Sequence, residues 1–387
     1  MVKLSLRTKD DFPFLEDKIY FNCAAQGVVP ESTIKIFRQY IEDYCNSMRG
    51  KEKVDYSDVK TNSKKLFAEI IGAKVREIAF VPNATTGINT AFSMIPFKKG
   101  ENVVLSDLSY PMGATIVTGY QRKGVETKFV EHQNGVVEID QWENAITDGT
   151  KAVMIDQPGW LNGFLHDLKS IAEIAHDHGA YLVVDGTQST GAIVWDIHKT
   201  SVDFLATSTY KWLLGGPYAN NVGFFYMKEE HVDELTPEYV GSATLTREEA
   251  VKNQEDSFSI YEFNPRKDIG KIEVYNRSEL GYVAVENSMQ LLLDYGIGNA
   301  ENQIKKVDSA IINSLLELGV DLQTPIEEER RIYLNAVVPN YKDVCEKLAE
   351  EEVYISPRVG GLRISPGAYN EVWEAEEFID KLSKYLN

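Results

Sequence analysis

The sequence predicts an α/β fold: a mainly parallel sheet in a large domain, with a smaller α+β C-terminal domain. Three observations carry that expectation. Short apolar runs alternate with helical patterns through the first two thirds of the chain, as strands covered by helices on both faces would. From about residue 279 longer helical patterns take over, interspersed with two further apolar runs. The length of 387 residues suits one sizeable domain plus a smaller lobe. We place the large domain at 17–270 and the small one at 271–387, joined by an arm at 1–16.

After the arm, TIKIFRQYIEDY sets Ile34, Phe37, Ile41 and Tyr44 at three-to-four spacing, which predicts an amphipathic helix over 32–48. EIAFVP reads as a strand. NATTGINTAFSMI follows as a turn and a helix with Ile88, Ala91, Phe92 and Ile95 on one face. NVVLSD, TKFVEH, AVMID, YLVVDG, VDFLATS and VGFFYM are further strands, and LKSIAEIAHDHGA is a helix among them. Toward the C-terminus ELGYVAVENSMQLLLDYG and NQIKKVDSAIINSLLELG read as helices. RIYLNAVVP and LRISPG are strands there, with a helix between them and another at the end.

Composition narrows the function. The formal net charge of -19 repels phosphate backbones, and no basic cluster offsets it, so a small-molecule ligand is expected and nucleic acid is not. No stretch reaches the apolar length of a membrane helix, and MVKLSLRTKDDFPF lacks the core of a signal peptide. A cytoplasmic protein with no membrane partner is the expectation. Cys23, Cys45 and Cys345 are far apart and odd in number, which gives neither a disulfide framework nor zinc spacing. His176 and His178 stand two apart on a helix and point to different faces, so no metal is expected and both are read as surface residues.

Chemistry is sought where strands end. Thr85, with Ala84 and Thr86, opens a helix whose free N–H groups favour an anion, although plain capping by Asn83 explains the same residues. Asp185 ends YLVVDGTQ with Gln188 close behind, so a carboxylate leaves a buried strand and needs a cation or N–H donors. Lys211 sits in STYKWLLGG among apolar side chains, beside Ser208 and Tyr210. Each has a bland reading alone. Together they are the parts that pyridoxal 5'-phosphate requires: a lysine for the Schiff base, a carboxylate for the ring nitrogen and a cradle for the phosphate.

VDGTQ, STYKWLLGG and NATTGIN resemble the class V aminotransferase family of pyridoxal phosphate enzymes, which includes cysteine desulfurases and isopenicillin N epimerase-like proteins. The resemblance runs from IYFNCAAQGVVP at residue 19 to LRISPGAYN at 362. It implies the fold type I architecture and a homodimer with active sites at the subunit interface. It also implies that Lys211 carries the cofactor, Asp185 partners the pyridine nitrogen and Gln188 lies near the ring oxygen. Thr85, Ser208 and Tyr210 would hold the phosphate with Ala84 beside them, and Tyr110 would stack on the ring where desulfurases have histidine. Asn276 would reach the neighbouring subunit's phosphate. Arg363 would clamp the substrate carboxylate, with Asn22 and Ala24 lining the same pocket.

Departures from the family pattern qualify the chemistry. VYISPRVGGLRIS is short and lacks the nucleophilic cysteine of desulfurases, and Cys23 reads as a small buried residue. Trp160 stands where many relatives have an asparagine, for which Asn162 is a candidate substitute. The expected function is a pyridoxal phosphate enzyme acting on an amino acid through an external aldimine, as an aminotransferase or lyase. Epimerisation, a desulfurase-like protein without its cysteine, and a non-catalytic cofactor-binding protein are the alternatives. A dehydrogenase lacks support, since no G-x-G-x-x-G follows a strand.

Overall fold

A computed structural model describes residues 6, 10–49, 55–56, 58–255, 263–274 and 279–386. One sheet is built from β1 (Ile78–Val81), β2 (Asn102–Ser106), β3 (Glu126–Val130), β4 (Thr150–Asp156), β5 (Tyr181–Asp185), β6 (Phe204–Ser208) and β7 (Gly223–Met227). Their order is β1-β7-β6-β5-β4-β2-β3. Neighbours pair in parallel except at β7, which is antiparallel to β1 and β6. The expected mainly parallel sheet is present. The reversal of β7 is invisible in VGFFYM, because a strand buried on both faces reads the same in either direction.

The principal helices are α1 (Glu31–Met48), α2 (Asp58–Ile71), α3 (Ala84–Met94), α4 (Pro111–Gly119), α5 (Leu168–Asp177), α6 (Glu279–Tyr295), α7 (Ile297–Glu317), α8 (Tyr341–Glu350) and α9 (Val372–Ser383). Alternating strand residues feed two cores. Val104, Val153, Leu182, Val184 and Leu205 pack on one face with α2, α5 and α6. Val103, Met154, Val183, Phe204 and Ala206 pack on the other with α3 and α4. Phe67 of α2 stacks on Phe224 at 4.2 Å, and Tyr282 of α6 meets Phe80 at 4.3 Å. Helix α6 therefore shares the core of the large sheet, although the sequence pattern changes before it.

A third core belongs to the C-terminal lobe, where β8 (Leu334–Val337), β9 (Ser356–Arg358) and β10 (Gly361–Ile364) form an antiparallel sheet ordered β9-β10-β8. Ile311, Leu315, Leu334, Leu348, Leu362 and Phe378 fill it from α7, α8, α9 and the sheet. Ile19–Tyr20 pairs in parallel with Val353–Tyr354, so the N-terminal arm is stitched onto this lobe.

Two expectations need correction. Helix α1 forms where predicted, but its apolar stripe is only partly covered: Ile34 and Phe37 are half-buried, while Ile41 and Tyr44, and Met48 beyond them, are exposed. The helix is held partly through hydrogen bonds instead, with Thr33 Oγ1 donating to Asn287 Oδ1 at 2.8 Å. His176 is not a free surface residue. Buried Asp203 lies between His176 Nε2 at 2.9 Å and His231 Nε2 at 2.8 Å, and accepts the Leu182 N–H at 2.7 Å. His178 pairs with Asp148 at 2.6 Å. Among the described residues no helix is long and apolar enough to cross a membrane.

Candidate active site

Three adjacent parallel strands, β4, β5 and β6, end on Asp156, Asp185 and Ser208. Ligands of open α/β sheets gather at such carboxyl ends. With Ala84, Thr85, Tyr110, Trp160, Thr187, Gln188, Tyr210 and Lys211, these residues line a cleft with about 400 Å³ of empty space.

Lys211 lies on the loop after β6. That loop is held by the Gly27 N–H, which donates to Tyr210 O at 3.0 Å. A Cβ on Gly27 would lie 2.0 Å from Lys211 O, so only glycine permits this approach. Lys211 Nζ stands 5.8 Å from the Tyr210 ring centroid. Burial and then the Arg363 guanidinium push its ammonium down to about 8, against the pull of Asp185 and Asp156.

Asp185 Oδ1 accepts the Thr187 N–H at 2.9 Å. Burial nevertheless raises its carboxyl pKa, with Thr187 and Lys211 opposing. Asp156 is its register partner on β4 and is 3% exposed. One Asp156 oxygen accepts the Tyr110 backbone N–H, while Oδ1 has no partner among the described residues. Burial and the neighbouring Asp185 hold the Asp156 carboxyl well above its ordinary range. A proton on Asp156 relieves the repulsion between the two carboxyl groups.

The opposite end of the cleft suits an anion. Helix α3 begins there, capped by Asn83, whose Oδ1 accepts the Thr86 N–H at 2.9 Å. Ser208 Oγ accepts the Ala84 N–H at 3.0 Å, and the Ser208 N–H donates to Thr187 Oγ1 at 3.2 Å. Amide and hydroxyl groups thus surround the helix N-terminus beside Thr85 and Tyr210. Capping and an anion cradle coexist here. Helix α3 reaches this position because Gly87 lies against β6, where a Cβ would come within 2.6 Å of the Ala206 Cβ.

Tyr110 and Trp160 wall the cleft with ring centroids 5.4 Å apart, and Tyr110 is 41% exposed. Gln188 lines it too, but its Oε1 accepts from Trp212 Nε1 at 2.9 Å and its Nε2 donates to Ala24 O at 3.0 Å. One Gln188 N–H is left for a ligand. Arg363, on β10, is 1% exposed; it reaches Trp160 O at 3.4 Å, and its Nε has no partner among the described residues.

Other sequence candidates lie behind this wall. Asn22 Oδ1 accepts from Ser356 Oγ at 2.6 Å, and the Ala24 N–H donates to Ser365 Oγ at 3.0 Å, so both brace the lobes. Asn162 is no substitute for the family asparagine: it is fully buried and its amide donates to Gly135 O and Gln323 O, both at 2.7 Å. Cys23 is buried, with its thiol pushed up to about 12 by burial. Asn276 lies outside the described residues. Asp156 and Thr187 are the lining residues that the sequence reading passes over. Asp156 had a signal, for it ends AVMID as Asp185 ends YLVVD.

These groups fit pyridoxal phosphate: an amine of lowered basicity, buried carboxyl groups without a full set of partners, and an anion cradle at a helix N-terminus. Comparison with known proteins agrees. The chain is 25% identical over 384 residues to the uncharacterized aminotransferase YcbU of Bacillus subtilis, covering 96% of this chain and 95% of that one. It is 27% identical over 303 residues to a probable cysteine desulfurase of Methanothermobacter thermautotrophicus, covering 76% and 72%. The fold matches the apo cysteine desulfurase of Thermococcus onnurineus with a TM-score of 0.85 at 22% identity, covering 98% and 97%. It also matches the cystine C-S lyase C-DES at 0.84 and 19%, covering 97% and 100%. The aminotransferase class-V family model matches residues 19–361, and the chain belongs to that family.

Proposed function

We propose that the cleft binds pyridoxal 5'-phosphate on Lys211 and acts on an amino acid by aminotransferase or lyase chemistry. The observation that carries this reading is the convergence of Lys211, Asp185 and the α3 N-terminus in one cleft. Ala84, Thr85, Ser208 and Tyr210 would hold the phosphate, and Tyr110 and Asp185 would hold the ring, all of them lining the cleft. When bound, the ring supplies an electron sink for the negative charge left at the substrate's α carbon.

The chain's own residues handle the proton. Lys211, with its ammonium lowered to about 8, is neutral often enough near pH 8 to act as general base at that carbon, and as its conjugate acid it returns the proton. Arg363 holds the substrate carboxylate in a bidentate fork. Asp185, whose carboxyl pKa is raised by burial, would hold the ring nitrogen in its cationic form, a pairing that would offset the cost of burying the carboxylate. Sulfur transfer through a cysteine is not supported. The segment VYISPRVGGLRIS contains none, and burial pushes the thiols of Cys23 and Cys345 up to about 12, away from the reactive thiolate.

A homodimer completes the proposal. The exposed Ile41, Tyr44 and Met48 of α1 form an apolar surface of the kind a second copy covers. The test of the cofactor reading is absorbance. Protein loaded with pyridoxal phosphate should absorb from the near-ultraviolet to the blue, and Lys211→Ala should lose that band; an unaltered band in the variant refutes the assignment.

A further inference from the structure

We infer that Arg358 recognises a second acidic group on the substrate, so that the enzyme acts on amino acids with an anionic side chain. This rests on the reading of the cleft as an amino-acid site. The strand register carries the argument. Ser356 pairs with Arg363 and Arg358 with Gly361 across β9 and β10, which places both arginines on one face of the hairpin as diagonal neighbours. Gly361 puts no side chain opposite Arg358. The two guanidinium groups lie over the same indole, with Arg363 5.8 Å and Arg358 6.0 Å from the Trp160 ring centroid. Trp160 itself lines the cleft.

Like charges are not assembled on one wall without a reason. Stacking on indole attracts each guanidinium but leaves their mutual repulsion in place, and Arg358 does act on Arg363, lowering its pKa. The chain has 59 acidic residues against 40 basic ones, yet among the described residues neither arginine makes an ion pair. Arg363 bonds a backbone carbonyl at 3.4 Å and keeps an unpartnered buried Nε. Among the described residues Arg358 donates to the carbonyl of its neighbour Pro357, at 2.7 Å. Arg363 is a buried cation without a counter-ion, which is unfavourable, and the half-buried Arg358 sets a second guanidinium beside it, so the missing negative charge comes from a ligand.

The order of the groups gives each a task. Arg363 acts electrostatically on the Lys211 amine and takes the carboxylate next to the reacting carbon. Arg358, the diagonal neighbour of Arg363 on the hairpin face and beside the cleft-lining Trp160, meets the distal group. With both guanidinium groups within 6.0 Å of one ring centroid, a short dicarboxylate can bridge them.

Calorimetry on the pyridoxal phosphate-loaded protein tests this with succinate and glutarate against their monoamides, which lack an amine and undergo no chemistry. The wild type should bind each dicarboxylate roughly tenfold or more tighter than its monoamide. Arg358→Gln should bring that ratio to about one, Arg358→Lys should restore part of it, and Arg363→Gln should weaken both ligands. Equal or absent binding of acid and amide by the wild type overturns the inference. So does an Arg358→Gln variant that weakens both by the same factor, which would mean that both arginines grip one carboxylate. Cofactor absorbance, recorded on the same samples, shows that the variants are folded and reports separately on the cofactor reading.

Discussion

Lysine 211 is one amine among many on this chain, and its surroundings make it different. Burial and Arg363 lower its ammonium to about 8, so the neutral, nucleophilic form grows as pH rises toward that value and saturates above it. Capture of pyridoxal phosphate by cofactor-free protein should therefore quicken roughly tenfold per pH unit below about 8 and level off above it, as followed by stopped-flow absorbance. A rate still climbing steadily toward pH 10 would show an ordinary lysine. At this scale the sequence was informative where a residue type is rare in its setting, as with a lysine in STYKWLLGG or an aspartate ending VVD. It was less so for partners. That both ends of the Gln188 amide engage Trp212 and Ala24, or that Asn162 turns away toward Gly135 and Gln323, depends on loops meeting in space, which no local pattern encodes.

Among the elements, the junction of α5, β5 and β6 shows how a charge is held inside the fold. Burial alone would raise the Asp203 carboxyl, but hydrogen bonds from His176, His231 and the Leu182 N–H outweigh it and hold it at about 2. A folded-state pKa below the unfolded one means stabilisation that is fully present above about pH 4 and is lost as pH falls through about 2. Asp203→Ala should cost about 3 kcal/mol at pH 7 by urea denaturation, and the difference should shrink in acid. A loss below 0.5 kcal/mol would mean that the clamp is idle. The apolar periodicity in LKSIAEIAHDHGA predicts its helix correctly, yet it cannot show that the first histidine of HDH meets an aspartate from another strand. Most strand positions were legible for a similar reason, since both faces of the inner strands are buried and each reads as a nearly continuous apolar run; the half-exposed edge strand β3 is the exception. Strand direction was not.

For the molecule as a whole, α1 sets the question. Its periodicity promises a buried stripe, whereas the chain half-buries Ile34 and Phe37 and leaves Ile41, Tyr44 and Met48 in the open. The helix is amphipathic toward something outside the monomer, and a second copy is our proposal. Sedimentation should give a dimer at micromolar concentration, and Tyr44→Glu with Met48→Glu should shift it toward monomer while each chain stays folded; a monomeric wild type at that concentration would contradict the proposal. Helix α6 taught a related lesson. The change of sequence pattern near residue 279 marks a change of element length, but the core shared by Tyr282, Phe80 and Phe224 runs straight through it.

The central claim is that the Lys211 side chain holds the cofactor, and borohydride reduction of the pyridoxal phosphate-loaded protein followed by peptide mass analysis tests it most directly. A pyridoxyl phosphate adduct on the peptide containing Lys211, and its absence from the Lys211→Ala protein, is the predicted result. An unmodified Lys211 peptide, or the adduct at a different lysine, would contradict the account.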